Sequence, residues 1–213
     1  MRYIYLHGFL SGPSSKKGIF LSRQFQKAGI DLLRPDLNGD DFEHLTISSQ
    51  LKIIDDLIHS GEGDITVIGS SLGGFLAALS AERWPQVKKL VLMAPAFDFI
   101  KRYFDRLTTE QIADWEKTGF IRLYQYHYQE HRKLGYDIVD DAKKYEAISF
   151  KRQIPVLIFH GIKDDSVPYQ VSIDFLAEHS SAHLVMLNSD HGLLDQIDNI
   201  WKYTSLFLEM RSA

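Results

Sequence analysis

The strongest constraint on the fold is the alternation of short apolar runs with longer amphipathic stretches along the chain. Compact runs rich in β-branched or aliphatic residues and bounded by Gly, Pro or Asp predict strands at residues 3–6, 64–68, 89–94, 156–159 and 184–187, with a weaker candidate at 30–33. Strands of this kind belong to a sheet that is covered on both faces. Two of the intervening stretches, residues 47–58 and 72–79, have one apolar helical face. This alternation predicts an α/β fold with a mainly parallel sheet and helices on both faces.

The size and composition of the chain exclude several classes of protein. Its 213 residues suit one globular domain spanning residues 1–213. The formal charge of −4 and the lack of a basic run argue against nucleic acid as a partner. The absence of cysteine excludes disulfides and thiolate catalysis, and no apolar run approaches the roughly 18 residues that a membrane span needs. No signal peptide is recognisable, so a cytoplasmic location is expected.

One long interval interrupts the alternation. Residues 97–153 contain no convincing strand, although a crossover connection needs only about a dozen residues. Thr108 and Gln111 have the spacing of a capping box, and Gly119 is placed to end the helix that they would begin. A further helix is predicted at 139–148. We therefore expect a small helical cap, inserted at about 97–153 above the sheet.

The segment Gly69-Ser70-Ser71-Leu72-Gly73 joins a predicted strand to a predicted helix. Only Ser71 as the central residue fits the pattern G-x-S-x-G, which places a serine on a strained strand-to-helix turn between small neighbours. In this interpretation Ser71 is a nucleophile, and the start of the following helix favours developing negative charge. The alternative interpretation is a tight junction of small residues that only packs well.

A serine hydroxyl is a weak nucleophile unless a base accepts its proton and a third group orients that base. Downstream of Ser71, His191 and the adjacent pair Asp164 and Asp165 each follow a predicted strand. They should therefore lie at one edge of the parallel sheet, in the chain order nucleophile, acid, base. His191 is predicted as the base and Asp164 as the acid. Asp165, nearer the next helix, and Asp98, after an earlier strand, remain alternatives for the acid.

Two backbone amides are expected to stabilise an oxyanion. One belongs to Leu72, directly after the nucleophile, and the other to Phe9 in the loop after the first strand. Gly8 allows that loop to approach the substrate closely. His7 is predicted to brace the loop by hydrogen bonding rather than to catalyse.

The predicted cap contributes aromatic and basic side chains whose roles the sequence leaves open. The aromatic ones either line a pocket for a short or medium acyl group or pack the cap onto the sheet: Trp115, Phe120, Tyr124, Tyr126 and Tyr128. Three arginines either meet an anionic substrate or face solvent: Arg102, Arg106 and Arg122.

A competing motif, His127-Tyr-Gln-Glu130-His131, matches the H-x-x-E-H pattern of inverted zinc peptidases. That pattern needs a helix to bring both histidines to one metal, and no third ligand follows at a suitable position. We therefore predict no metal and no cofactor.

Four segments carry a family resemblance: YLHGFLSGPSSKK at 5–17, VIGSSLGG at 67–74, HGIKDDSVP at 160–168 and DHG at 190–192. Together they resemble the α/β-hydrolase superfamily and, more closely, the small bacterial esterases of the YqiA/YcfP type. The resemblance implies an α/β-hydrolase fold with about six or seven strands. It also implies the triad Ser71, Asp164 and His191, with the amides of Phe9 and Leu72 as the oxyanion hole.

The activity that this resemblance implies is that of a serine hydrolase. Such an enzyme cleaves a small-molecule carboxylic ester or thioester through an acyl-serine intermediate. Two alternatives use the same fold: a ligand-binding or signalling protein with little turnover, and a cofactor-free C–C bond hydrolase. The oligomeric state is left open.

Overall fold

A six-stranded parallel sheet forms the centre of the computed structural model, which describes residues 1–146 and 149–210. The strands, in chain order, are β1 (Arg2–Leu6), β2 (Leu32–Leu33), β3 (Ile65–Ser70), β4 (Val87–Met93), β5 (Phe120–Gln125), β6 (Glu130–Gly135), β7 (Val156–Gly161) and β8 (Ala182–Leu187). Across the main sheet the order is β2-β1-β3-β4-β7-β8, and every neighbouring pair is parallel. The predicted parallel sheet and its strand number are therefore confirmed.

Helices cover both faces of this sheet. The described α-helices are α1 (Lys16–Lys27), α2 (Ile47–His59), α3 (Leu72–Arg83), α4 (Phe99–Phe104), α5 (Thr109–Thr118), α6 (Asp137–Glu146), α7 (Gln170–Glu178) and α8 (Ile197–Phe207). Alternate residues of β4 belong to different buried clusters, Leu90 and Leu92 to one and Val91 and Met93 to the other. The first cluster includes apolar residues of α2, α3 and α7, and the second those of α1 and α8. This division explains why consecutive residues of β4 from Leu90 to Met93 are all apolar.

The interval between β4 and β7 differs in part from the sequence-based expectation. Its three helices, α4, α5 and α6, agree with a helical insertion, but β5 and β6 form an antiparallel hairpin between α5 and α6. The expectation that residues 97–153 hold no strand is therefore wrong. Both strands are partly solvent-accessible, and β6 carries the charged residues Glu130, Arg132 and Lys133, because a hairpin outside the main sheet needs no continuous apolar run.

The helix signals within the insertion agree with the structure. Thr108 and Gln111 form the reciprocal capping box at the start of α5, and Gly119 ends the helix with a φ of 79°. The helix predicted at 139–148 corresponds to α6, and residues 147 and 148 lie outside the described part of the chain. None of the described helices is both long and apolar enough to cross a bilayer.

Candidate active site

Ser71 occupies a sharp turn between the end of β3 and the start of α3. Its backbone φ of 55° lies in the left-handed region, which is strained for a residue with a side chain. A Cβ atom at Gly69 would overlap the carbonyl of Gly73, and one at Gly73 would overlap the carbonyl of Leu6. The glycines of the G-x-S-x-G pattern are thus required because backbone from β1 and α3 crosses immediately beside them. The turn presents Ser71, whereas Ser70 is buried as the last residue of β3.

The three predicted triad side chains meet at the carboxyl edge of the sheet. The Nε2 atom of His191 lies 3.0 Å from the Oγ atom of Ser71, and the Nδ1 atom of His191 lies 2.7 Å from the Oδ2 atom of Asp164. The three residues follow β3, β7 and β8, so 120 positions of sequence separate Ser71 from His191. The imidazole is therefore placed to accept the serine proton on one side while the carboxylate orients it on the other.

The Asp164 carboxylate is completely shielded from solvent, and all of its bonds favour the charged form. Its Oδ1 atom accepts the backbone amides of Ser166 at 2.9 Å and Val167 at 2.7 Å, and its Oδ2 atom lies 3.2 Å from the Nε2 atom of His160. Burial alone would raise the pKa of Asp164, but the bonds to His160, His191 and Val167 hold that pKa well below its usual value. Asp164 therefore stays negatively charged at neutral pH.

The two alternative acids do not contact His191 in the described structure. Asp165 is exposed and accepts a bond from the Ser166 hydroxyl at 3.2 Å. Asp98 precedes α4 and pairs with Arg102 at 3.4 Å. Of the three candidate carboxylates, only Asp164 reaches the histidine.

The loop after β1 lies against the Ser71 turn and is braced by His7. The Leu37 amide donates to the Nε2 atom of His7 at 3.0 Å, so the Nδ1 atom carries the proton and donates to the Gly8 carbonyl at 2.9 Å. The predicted bracing role of His7 thus matches its hydrogen bonds. At Gly8 an added Cβ would lie 3.3 Å from both the Ser70 carbonyl oxygen and the Ser71 Cβ, which explains the need for glycine there.

The two amides assigned to the oxyanion hole are available for a ligand. Within the part of the chain that the structure describes, neither the Phe9 amide nor the Leu72 amide donates a hydrogen bond. Leu72 is the first residue of α3, where helix geometry leaves the amide without an internal acceptor and the helix dipole favours negative charge. Both amides therefore remain candidates for binding an oxyanion.

A cavity of about 290 Å³ opens beside Ser71 and His191. Its other walls come from the loop after β1, the segment 96–106 that contains α4, the hairpin tip and the Asp164 loop: Phe9, Leu10, Ala96, Phe99, Arg102, Tyr103, Arg106, Tyr126, Ser166 and Val167. This volume lies at the lower end of the range of about 300–1,000 Å³ for small-molecule pockets. Of the aromatic residues singled out in the insertion, Tyr126 lines the cavity, whereas Trp115 is buried in the insertion and donates to the Leu134 carbonyl.

Lys17, on α1, is a feature of the site that the sequence did not single out. Its Nζ atom donates to the Gly192 carbonyl at 2.9 Å, directly after His191. Burial lowers the pKa of Lys17 to about 8, and the charges of Asp164 and Asp190 partly oppose that shift. A lysine in an amphipathic helix normally indicates a solvated position, so only the fold reveals this contact.

The hairpin of β5 and β6 contacts the loop after β1, and the sequence did not reveal this contact either. The Tyr126 amide donates to the Leu10 carbonyl at 3.0 Å, and the buried Gln125 side chain donates to the Ser11 carbonyl at 3.1 Å. The side-chain oxygen of Gln125 accepts hydrogen bonds from the backbone amides of His127 at 2.6 Å and Tyr128 at 3.1 Å. One glutamine thus ties the hairpin turn to the loop that carries Phe9.

The H-x-x-E-H segment spans the hairpin turn and the start of β6, not a helix. The His127 ring bonds the Ser14 hydroxyl at 3.1 Å, and the His131 ring packs edge-on against Tyr124. No group of three or more metal-binding side chains occurs among residues 1–146 and 149–210. The helical context that a zinc peptidase motif requires is therefore missing.

The parallel sheet, its strand order and the serine turn define the class of protein, an α/β-hydrolase fold. Solved structures agree on the fold. Mouse alpha/beta hydrolase domain-containing protein 10 is 22% identical with a TM-score of 0.80 and covers 98% of this chain and 90% of its own. Est1E from Butyrivibrio proteoclasticus, solved with ferulic acid, is 22% identical with a TM-score of 0.75. The match covers 97% of this chain and 88% of the Est1E chain.

Sequence comparison assigns the family. Residues 2–208 match the model described as "Uncharacterised protein family (UPF0227)", and the chain belongs to this family. The palmitoyl-protein thioesterase ABHD10, mitochondrial, from Bos taurus is 28% identical over 211 residues, which cover 92% of this chain and 68% of that protein.

Proposed function

We propose that this protein is a serine hydrolase that cleaves carboxylic esters or thioesters through an acyl-serine intermediate. The observation that carries the proposal is the continuous hydrogen-bonded path from Ser71 through His191 to the buried Asp164, at the wall of a cavity. The name of the bovine relative, a thioesterase, supports the same type of reaction.

The first half-reaction acylates the enzyme. His191 takes the hydroxyl proton of Ser71 through its Nε2 atom as the Oγ atom bonds to the substrate carbonyl carbon. The resulting oxyanion accepts hydrogen bonds from the amides of Phe9 and Leu72, and Asp164 stabilises the imidazolium. When the tetrahedral adduct collapses, its bond to the leaving oxygen or sulfur breaks. His191 gives its proton to that atom, and the acyl group remains on Ser71.

The second half-reaction releases the acid. A water molecule gives a proton to His191 as its oxygen bonds to the acyl carbon, and the same two amides bind the new oxyanion. Collapse breaks the bond to the Oγ atom of Ser71, which takes the proton back from His191. The products are a carboxylic acid and an alcohol or thiol, and no cofactor is consumed.

The remaining sequence-based predictions belong to the same proposal. We infer a single domain over residues 1–213, with residues 97–153 as the inserted cap. The partner is a small-molecule acyl ester or thioester, and the location is the cytoplasm.

A panel of 4-nitrophenyl esters and acyl thioesters of increasing chain length tests the proposal. The wild-type protein should hydrolyse at least one of them, and Ser71→Ala should lower kcat by at least about 10⁴-fold, because removal of a nucleophile normally has this effect. Ser70→Ala is the matched control, since Ser70 is the neighbouring serine at the end of β3. Turnover that survives in Ser71→Ala would contradict the mechanism.

A further inference from the structure

The cavity beside Ser71 is positively charged in a protein that is negatively charged overall. Its wall includes Arg102 and Arg106, and none of the described residues that line it is Asp or Glu. The chain as a whole has a formal charge of −4. The Asp164 carboxylate is shielded from solvent and already bonded to His191, so it does not face the cavity as a free anion. The local charge therefore favours a negatively charged ligand group.

The two arginines differ in how their charge is used within the protein. Arg102 pairs with Asp98 at 3.4 Å and approaches Asp105 at 4.0 Å, while its Nε atom is buried without a partner among the described residues. Arg106 is exposed and has no carboxylate within ion-pairing distance in the part of the chain that the structure describes. Arg106 thus keeps its full charge for a ligand, whereas the charge of Arg102 is shared with Asp98 and Asp105.

Arg122 provides a comparison on the same insertion. It lies on β5 and lines a separate groove together with residues of α5, away from Ser71. Of the three arginines that the sequence offered as contacts for an anionic substrate, only Arg102 and Arg106 therefore reach the candidate active site.

The position of α4 indicates which half of an ester these arginines face. Phe99 and Tyr103 of α4 pack against Phe9, with ring centroids 5.1 and 5.4 Å apart, so α4 lies on the oxyanion side of the site. His191 comes from β8, on the opposite side of β3 from the β1 loop. Because the leaving group must lie beside His191 to receive its proton, the group that approaches α4 belongs to the acyl half.

We propose that Arg106, with Arg102 beside it, binds a carboxylate at the far end of the acyl group, so that the preferred substrates are half-esters or half-thioesters of dicarboxylic acids. This inference rests on the hydrolase function proposed above. The small cavity suits a short dicarboxylic acyl group, and a guanidinium can bind a carboxylate through two parallel hydrogen bonds.

Two matched pairs of substrates test the inference. The acyl pair is 4-nitrophenyl hydrogen adipate and 4-nitrophenyl hexanoate, which share a six-carbon acyl chain and differ in the terminal carboxylate. The leaving-group pair is 4-carboxyphenyl hexanoate and the methyl ester of that carboxyl group. For the wild-type protein we expect kcat/KM for the adipate ester to exceed that for the hexanoate ester at least tenfold, which corresponds to about 1.4 kcal/mol. The ratio within the leaving-group pair should stay near one.

Variants identify the arginine that causes the preference for the adipate ester. Arg106→Gln should bring the adipate-to-hexanoate ratio down towards one, and 0.5 M salt should reduce the ratio in the wild-type protein, because the attraction is between partly exposed charges. Arg122→Gln removes the same net charge from the insertion and should leave the ratio unchanged.

Several results would overturn the inference. An adipate-to-hexanoate ratio of one or less in the wild-type protein, or a high ratio that persists in Arg106→Gln, would exclude a carboxylate site at Arg106. A preference for the anion in the leaving-group pair alone would exclude the acyl assignment. Hexanoate turnover that depends on Ser71, with no adipate preference, would overturn this inference and leave the hydrolase function standing. Absence of any Ser71-dependent turnover would overturn both.

Discussion

Replacement of Asp164 by asparagine separates the role of its charge from its role in folding. Asparagine has the same shape, and its carbonyl oxygen can still accept the amides of Ser166 and Val167. Its amide group, however, would donate to the Nδ1 atom of His191, which forces the ring proton onto the Nε2 atom that faces Ser71. The imidazole could then no longer accept the serine proton.

The size of this effect follows from the hydrogen-bond distance. Two unit charges 2.7 Å apart attract by about 6 kcal/mol at an effective dielectric constant of about 20. This is the interaction between Asp164 and the imidazolium that forms during acylation. Loss of this interaction energy should lower kcat on the order of 10⁴-fold, since each tenfold change in rate requires about 1.36 kcal/mol.

The assay is steady-state hydrolysis of a 4-nitrophenyl ester at pH 7, with the thermal unfolding midpoint measured on the same preparations. Asp165→Asn is the matched control, because Asp165 is the adjacent exposed carboxylate, and its kcat should stay within about twofold of the wild-type value. The reasoning is refuted if folded Asp164→Asn retains more than a tenth of the wild-type kcat, or if Asp165→Asn loses as much activity.

Two further predictions concern Lys17 and Asp36. Lys17→Met removes the donor to the Gly192 carbonyl, so kcat should fall about tenfold, whereas Lys16→Met on the same helix should not change it. Burial lowers the pKa of Lys17 to about 8, so its positive charge lowers the free energy of unfolding at pH 7. The thermal unfolding midpoint of Lys17→Met should therefore not fall. A fall in the midpoint that parallels the loss of activity would contradict the role of Lys17 in positioning the segment after His191. Burial would raise the pKa of Asp36, but the hydrogen bonds that it accepts from the backbone amide and the side chain of Asn38 outweigh burial and lower the pKa from 3.8 to about 2. Its stabilising contribution is therefore complete above pH 4 and is lost as the pH falls towards 2. About a third of the Asp36 side chain is exposed, which reduces this contribution. Between pH 5 and pH 2, the free energy of unfolding in urea should therefore fall by about 1–2 kcal/mol less in Asp36→Asn than in the wild-type protein. Equal falls in the two proteins would contradict this contribution.

The triad side chains could be located from sequence because each follows an apolar strand of a parallel sheet. Strand direction alone places the ends of β3, β7 and β8 at one edge, so Ser71, Asp164 and His191 converge without knowledge of any loop. The sequence favours Asp164 over Asp165 because Asp164 lies nearer the end of its strand, and in the structure Asp164 bonds to His191 whereas Asp165 bonds to the Ser166 hydroxyl.

The hairpin of β5 and β6 and the contact of Lys17 could not be predicted, and the two reasons differ. The strand EHRKLG of β6 carries three charged residues, Glu130, Arg132 and Lys133, so its sequence lacks the apolar run of a core strand. Lys17 lies on α1, 175 positions away from the carbonyl that it holds. The Lys17 contact depends on packing between distant segments, which local patterns do not encode.

The same limit applies to the arginines of the insertion. In the sequence, nothing distinguishes Arg102, Arg106 and Arg122 as contacts for a ligand. Arg102 and Arg106 line the cavity beside Ser71, whereas Arg122 lines a separate groove. This difference depends on how α4 packs against the loop that carries Phe9.

Reaction with a fluorophosphonate, followed by mass spectrometry of the intact protein and of its peptides, tests the proposed nucleophile most directly. One phosphonyl group should attach per chain, on Ser71, and the label should be absent from Ser71→Ala and much slower to form in His191→Ala. A label on Ser70, or no label on a protein that hydrolyses esters, would show that the serine at this turn is not the nucleophile.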